Sequence, residues 1–290
     1  MKTKITLEKI LNWEYWPTPM FYVPNIPYAL YLAIKANHGA FFSAVNPAIK
    51  SSGNGTESKY ETIQLVPKEL RPNSILVSPN IPFETLLSEI HNKGIKFPLI
   101  AKPDIGFRGL LVQKINTSKD LERYLKKYPI TLIIQEFLDY KKECGVFYYR
   151  NPKSNKGYIS SLTLKRFLSV TGDGTSTLQA LILKDSRARL YIDLFKEIHG
   201  EDLNIIPKNH QEIQLTAIGN HSKGTQFING NDKISEKLVS TFDKLSTSIE
   251  GWYYGRIDLK YNTLEELEAG LNFKILEING IIAEPTHIYD

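Results

Sequence analysis

Two short runs near the carboxyl end, Gly255-Arg256-Ile257-Asp258 and Ile275-Leu276-Glu277-Ile278-Asn279-Gly280, constrain this chain more than any other stretch. The first continues into Leu259-Lys260 with the apolar–polar alternation of a strand, and the second reads as a strand as well. Side chains two residues apart point to one face of a pleat, so Glu277 and Asn279 share a face. If the two strands pair through the excursion 263–273, Asp258 joins them and three hard oxygen ligands converge. Such a set suits Mg²⁺, which takes few protein oxygens, keeps several waters and completes its shell from substrate phosphates. Any one of the three alone reads as a polar residue at a strand end. The pattern gains meaning only with a phosphate cradle upstream.

The 290 residues leave room for one large domain or two ordinary ones, and the net charge of +5 is mild. Lys and Arg are scattered, which admits anionic ligands but lacks the concentrated stripe of a nucleic-acid binder. The single Cys144 rules out an internal disulfide framework and reads as a buried structural thiol in a reducing compartment. No apolar run is long enough for a signal core or a membrane span. The expectation is a cytoplasmic protein with no nucleic-acid partner and no membrane span.

A candidate cradle lies at 97–115. Residues 97–103 form a buried strand ending in Lys102, 104–109 a tight loop with Gly106 and Gly109, and 110–115 a returning strand. Backbone N–H groups of such a loop can fold over phosphates, with Lys102 as a point charge and Arg108 as a planar fork. An ordinary hairpin with exposed charges fits the segment equally well. Upstream, 57–65 reads as a helix opening with Lys59. Helices are also expected at 82–92, at 118–127 with Ser118 as N-cap, at 178–195 after a capping turn at 172–177, and at 234–249. Strands are expected at 74–77, 131–138, 145–150, 158–170 and 212–217, giving an α+β plan with much antiparallel sheet in its second half. Residues 1–50 crowd Trp13, Tyr15, Trp16, Phe21, Tyr22, Tyr28, Tyr31, Phe41 and Phe42 among four prolines, with a short helix at 28–36. Packing of this arm on the body is the favoured reading, over an acceptor pocket or a membrane surface.

Taken in order from about Glu57 to the end, these motifs resemble the ATP-grasp superfamily, in particular ligases of the D-alanine–D-alanine and cyanophycin synthetase types. Lys59 looks like the lysine at a helix start that reaches ATP phosphates. Lys102 with Gly106, Arg108 and Gly109 looks like the second lysine and its phosphate-covering loop. Gln135-Glu136-Phe137-Leu138 is similar to the hinge that meets adenine, and Glu143 to the ribose-binding carboxylate. Arg256 matches the family arginine, and Asp258, Glu277 and Asn279 its metal triad. Gly172, Gly174 and Thr177, with Asn220, Ser222 and Gly224, resemble the acceptor side of the cyanophycin type. The usual open α/β domain ahead of the grasp is replaced here by residues 1–56, and the segment after Asn279 departs from the D-alanine ligases, so the product is left open.

The resemblance implies an ATP-grasp fold with three parts: an aromatic, proline-rich region 1–56, a small subdomain 57–134 carrying lysines and phosphate loop, and a large subdomain 135–290 carrying metal and acceptor sides. It implies an ATP- and Mg²⁺-dependent ligase, with Mn²⁺ as an alternative ion. Such an enzyme joins a small-molecule or peptide carboxylate to an amine or thiol through an acyl-phosphate and releases ADP. A homodimer is one assembly it allows. Arg256 would contact the γ-phosphate or the tetrahedral intermediate, or else pair with a neighbouring carboxylate. Strand alternation sends one of Lys165 and Arg166 to the site, and Lys165 is preferred as the further catalytic cation. His287 borders the acceptor pocket or is a plain hydrogen-bonded histidine. The competing reading is a nucleotide-binding module without ligase chemistry, acting as a regulatory partner.

Overall fold

The computed structural model describes residues 11, 16, 19–106, 111–220 and 223–289. Arg108 and Gly109 of the glycine loop, Ser222 of the acceptor-side motif, and Trp13 and Tyr15 of the arm lie outside them. Among the described residues the helices are α1 (Pro19–Tyr22), α2 (Ile26–Lys35), α3 (Lys59–Gln64), α4 (Phe83–Asn92), α5 (Ser118–Lys127), α6 (Leu178–Lys184), α7 (Ile192–His199), α8 (Glu236–Thr247) and α9 (Leu264–Glu268).

The first sheet has the order β1-β4-β2-β3 and pairs antiparallel throughout: β1 (Ser74–Val77), β2 (Leu99–Pro103), β3 (Gln113–Ile115) and β4 (Leu132–Glu136). Its strands alternate. Leu99 and Ala101 of β2 are fully buried against Leu86 and Ile90 of α4 and Leu121 of α5, while Ile100 and Lys102 turn to the opposite face. Each buried Leu or Ile contributes roughly 1.5–3 kcal/mol, so the helix-covered face holds the sheet and frees the other for function.

The second sheet is five-stranded and antiparallel, ordered β11-β10-β5-β6-β9. Its strands are β5 (Lys142–Asn151), β6 (Lys156–Arg166), β9 (Gln226–Asn229), β10 (Tyr254–Tyr261) and β11 (Phe273–Ile278). One face packs Cys144, Val146, Leu162, Ile257 and Leu259 on Leu238 and Phe242 of α8, with Ile63 of α3 in the same core. Helix α3 therefore rests on the second sheet, although it precedes the first in sequence. Between β6 and β9, the pair β7 (Ser169–Thr171) and β8 (Glu212–Gln214) builds a separate small core with α6 and α7.

The α+β class with antiparallel sheets is as expected from the sequence. Local differences have physical causes. The cap of α5 is Thr117, whose hydroxyl accepts from Asp120 N, and Ser118 is already helical. The helical run expected across 178–195 breaks at Asp185, whose carboxylate takes the N–H groups of Arg187 and Ala188 and restarts the chain. The aromatic arm corrects the packing expectation. Helix α2 has Pro27 in its first turn, yet none of its residues is buried.

The region after the arm is docked firmly. Asn46 is fully buried; its side chain donates to Tyr254 O and Ser52 O and accepts from Tyr253 N and Tyr254 N. The expected loop at 51–55 is a strap: Ile281 N donates to Ser52 O and Ile282 N to Gly53 O. A Cβ on Gly280 would fall 1.9 Å from Ser52 O, and Gly53 has φ +79°, so both positions need glycine.

Candidate active site

The two free sheet faces wall one cleft of about 710 Å³. Thirteen of the fifteen residues assigned in the sequence to nucleotide, metal or catalysis line it: Lys59, Lys102, Gly106, Gln135, Glu136, Phe137, Leu138, Glu143, Lys165, Arg256, Asp258, Glu277 and Asn279. The other two, Arg108 and Gly109, are outside the described residues.

The register of the second sheet explains the convergence. Lys260 of β10 lies beside Glu143 of β5, and Glu143 beside Lys165 of β6. Asp258 lies beside Gly145, and Gly145 beside Thr163; Arg256 lies beside Phe147, and Phe147 beside Ser161. Successive rows are two residues apart, so all share the face opposite the core. On the other side of β10, Asp258 pairs with Glu277, and a bulge after Asp258 leaves Leu276 unpaired, so both Leu276 and Glu277 reach the cleft. Asn279 closes the set, its N donating to Arg256 O at 2.8 Å and its amide to Asp258 Oδ2 at 3.1 Å.

Charges in the site are largely engaged. Arg256 Nε donates to Asp258 Oδ2 at 3.0 Å and its guanidinium to Glu284 O at 3.0 Å. Lys165 Nζ lies 2.5 Å from Glu143 Oε1 and 3.1 Å from Asp258 Oδ1, all three side chains being under 10% exposed. Arg166 is exposed instead. Burial works against the charge of Lys165, but Asp258 and Glu143 outweigh it and hold its pKa above the ordinary value. Burial likewise opposes the charge of Asp258, yet Arg256 and Lys165 keep its pKa down at about 2. Lys59 Nζ reaches Gly106 O at 3.3 Å and Glu277 Oε1 at 3.7 Å. Lys102 makes no hydrogen bond or ion pair with any described residue, and burial pulls its pKa down against the pull of Glu277 and Asp258.

The crossing from β4 to β5 is the Glu136–Leu138 stretch. Asn73 N donates to Glu136 Oε2, Lys260 Nζ donates to Leu138 O at 3.2 Å, and the Lys114 ammonium sits 4.2 Å from the Phe137 ring centre. Ile100, Val112, Ile218, Phe227 and Leu276 give this end of the cleft an apolar lining. At the other end, His287 Nδ1 is 3.0 Å from Thr163 Oγ1 and 3.3 Å from Ser161 Oγ, so this histidine is hydrogen-bonded to β6.

Among the described residues no three His, Cys, Asp or Glu side chains form a metal-holding cluster. Asp258, Glu277 and Asn279 offer two carboxylates and one carboxamide. Asp258 Oδ1 is buried and, despite the nearby Lys165, accepts no well-aligned hydrogen bond. An incompletely satisfied oxygen set of this size is one that Mg²⁺ accepts when phosphate oxygens supply the rest.

Several residues that build the site carried no signal in the sequence. Asp104 is buried and accepts from Ser58 Oγ and Tyr60 N, both at 2.9 Å, while its backbone O takes Lys59 N. Gly145 leaves space that a side chain would take from Arg256 Cδ, 3.0 Å from an added Cβ, and from Asp258 Oδ1, 3.3 Å from it. Gly219 lies on the Glu143 carboxylate so closely that any Cβ would clash at 2.5 Å. Only the third face neighbour on β10, Lys260, had a legible cue, its even spacing from Asp258 and Arg256.

No family model matches the chain. A curated relative, the glutathione biosynthesis bifunctional protein GshAB of Desulfotalea psychrophila, is 28% identical over 127 residues, which is 38% of this chain and 16% of that protein. Among solved structures, the bifunctional glutathione synthetase from Pasteurella multocida matches 79% of this chain and 32% of its own with a TM-score of 0.40 at 15% identity. The D-alanine–D-alanine ligase from Bacillus anthracis matches 77% of this chain and 56% of its own with a TM-score of 0.41 at 12% identity. The chain spans about a sixth of the curated relative and between about a third and just over half of these solved chains.

Proposed function

We propose that this chain is an ATP- and Mg²⁺-dependent ligase that activates a carboxylate as an acyl-phosphate and passes the acyl group to an amine or thiol, releasing ADP and phosphate. The observation that carries this reading is one cleft bringing four cations, Lys59, Lys102, Lys165 and Arg256, around Asp258, Glu277 and Asn279. The chemical obstacle is repulsion between an anionic carboxylate and a triphosphate, and fixed cations in a water-poor cleft oppose it. Lys102 on the first sheet and Lys59 at the start of α3 would hold the phosphates, together with the loop that carries Gly106, Arg108 and Gly109. Lys165 and Arg256 would face the transferring phosphoryl group from the second sheet. Asp258, Glu277 and Asn279 would hold Mg²⁺ (Mn²⁺ being the alternative), which supplies charge neutralisation on the phosphate oxygens. Glu136, Phe137 and Leu138 would meet the adenine against the apolar lining. Glu143, assigned to the ribose on resemblance, also orients Lys165 through the 2.5 Å pair. In this reading residues 57–134 and 135–290 are the two grasping halves, and 1–56 stands ahead of them.

Incubating the full chain with ATP, Mg²⁺ and amino-acid pools is expected to release ADP and phosphate in a substrate-dependent way. Asp258→Asn and Glu277→Gln are expected to abolish turnover while retaining cooperative unfolding. AMP as product would exclude an acyl-phosphate route, and undiminished turnover in both variants would remove the metal assignment.

A further inference from the structure

Between Pro19 and Ala44 none of the described side chains is buried, although the segment is dominated by apolar and aromatic residues. On α2 the i, i+4, i+8 stripe of Ile26, Leu30 and Ile34 is 51%, 59% and 79% exposed. Tyr28, Tyr31 and Lys35 lie together on the opposite flank, the two tyrosine rings stacked with centres 6.2 Å apart. Met20, Tyr22, Val23 and Phe42 extend the exposed apolar surface beyond the helix. Such a contiguous patch on a folded protein marks a surface that is covered in use.

Charge and geometry choose the occupant. From Glu14 to Glu57 the sequence contains no acidic residue, and its only full charges are Lys35 and Lys50. Residues 1–50 hold five lysines against two glutamates. With Lys35 as its only full charge, this aromatic surface attracts an anionic one, whereas a second copy would set like charge against like. The helix itself has an apolar stripe with no polar atoms, flanked by tyrosines with apolar bodies and polar tips and by a lysine at its last position. Lying in the plane of a bilayer interface, such a helix would set its stripe among acyl chains and its phenols and ammonium at headgroup level. No helix among the described residues is long and apolar enough to cross a membrane, so the contact is with the surface. The Asn46 clamp and the strap to 281–282 fix the residues following the arm to β10 and the cleft wall, giving the helix a rigid base.

We infer that the α1–α2 arm docks the protein on an anionic lipid surface, with Ile26, Leu30 and Ile34 inserted and Lys35 at the phosphates. The inference is independent of the catalytic reading, because it is read by lipid binding alone. The full chain is floated with phosphatidylcholine–phosphatidylserine vesicles and with pure phosphatidylcholine vesicles. Co-flotation is expected with the former and weaker flotation with the latter. Leu30→Glu/Ile34→Glu is expected to lower partitioning at least roughly tenfold, and Lys35→Glu to reduce the phosphatidylserine dependence, with thermal unfolding unchanged in both. Sedimentation velocity without lipid completes the test. Absence from both vesicle types, or flotation of the double variant at the wild-type level, overturns the proposal. So does a lipid-free dimer that the double variant dissolves, which would assign the face to a second copy of this chain.

Discussion

Asp104 offers the sharpest test of how the cleft is assembled. Helix α3 is only six residues long, too short to persist on its own, and it carries Lys59 in its first turn. Its opening N–H groups are all satisfied from outside the helix. Lys59 N donates to Asp104 O, Tyr60 N to Asp104 Oδ1 and Glu61 N to Ser58 Oγ, while Ser58 Oγ itself donates to Asp104 Oδ1. Asp104 directly follows β2, the strand of Lys102, so one carboxylate ties both proposed phosphate lysines together. Asp104→Ala removes two hydrogen bonds to a buried carboxylate, each worth roughly 1.5–3 kcal/mol. Water refilling the site offsets part of this, and a net loss of about 2–4 kcal/mol is expected, within the stability of an ordinary domain. Asp104→Asn keeps one acceptor oxygen and should lose less. Urea unfolding gives the stability change, and nucleotide affinity measured for wild type, Asp104→Ala, Lys59→Ala and the double variant gives the coupling. If Asp104 acts by placing Lys59, its effect on affinity largely vanishes once Lys59 is gone. Additive losses in the double variant, or an Asp104→Ala protein that binds nucleotide as wild type does, would refute the positioning role.

Two further outcomes follow from the same geometry. Gly145→Ala should leave folding within about 1–3 kcal/mol of wild type, because the intruding methyl pushes Arg256 and Asp258 by only tenths of an ångström. Turnover should nevertheless fall by at least about tenfold, and wild-type rates of ADP release would show that Arg256 need not sit where it does. Lys102 should give nucleotide binding an alkaline limit: burial lowers its pKa, so the ammonium is lost below the ordinary lysine range and affinity falls as pH rises through that lowered value. Lys102→Arg keeps its charge and should bind with a flatter alkaline profile, as titration calorimetry at increasing pH would show.

Much of the site was legible because strand periodicity is short and strict. Asp258, Arg256, Glu277 and Asn279 share a face for reasons that can be read from a two-residue repeat, and burial of the intervening Ile257, Leu259 and Ile278 makes that repeat visible. Helix α8 was similarly plain from its amphipathic pattern. What stayed hidden depends on contacts between distant segments. Nothing around Asp104 announces that it caps a helix forty-odd residues upstream, and nothing local marks Asn46 as a clamp on β10. Gly145 looks like any glycine until Arg256 is brought beside it. The bulge at Leu276 was also invisible, since a single extra residue changes the register without disturbing local composition. The packing expectation failed over the described residues 19–44 for the opposite reason: their aromatic content does resemble core, and only their exposure separates the two.

As a proposed polyanion site, the cleft must solve an electrostatic problem before its ligand arrives. Five described cations line it, and in a partly dry cavity such a concentration would be costly if left uncompensated. Four are held by protein acceptors: Lys165 by Glu143 and Asp258, Arg256 by Asp258 and Glu284 O, Lys59 by Gly106 O and Glu277, Lys260 by Leu138 O. Lys102 alone among them has no such acceptor within the described residues, and its lowered pKa records the cost. An arriving phosphate would therefore gain most at Lys102, and to recruit Lys59 it must compete only with a carbonyl and a 3.7 Å ion pair. Lys165 and Arg256 are held more tightly, both through Asp258, so a cation that engaged Asp258 would loosen the two together. Under the proposed reading ligand charge and metal charge would be coupled through this one aspartate, so Asp258, rather than any lysine, is the residue whose neutralisation should disturb the whole cleft.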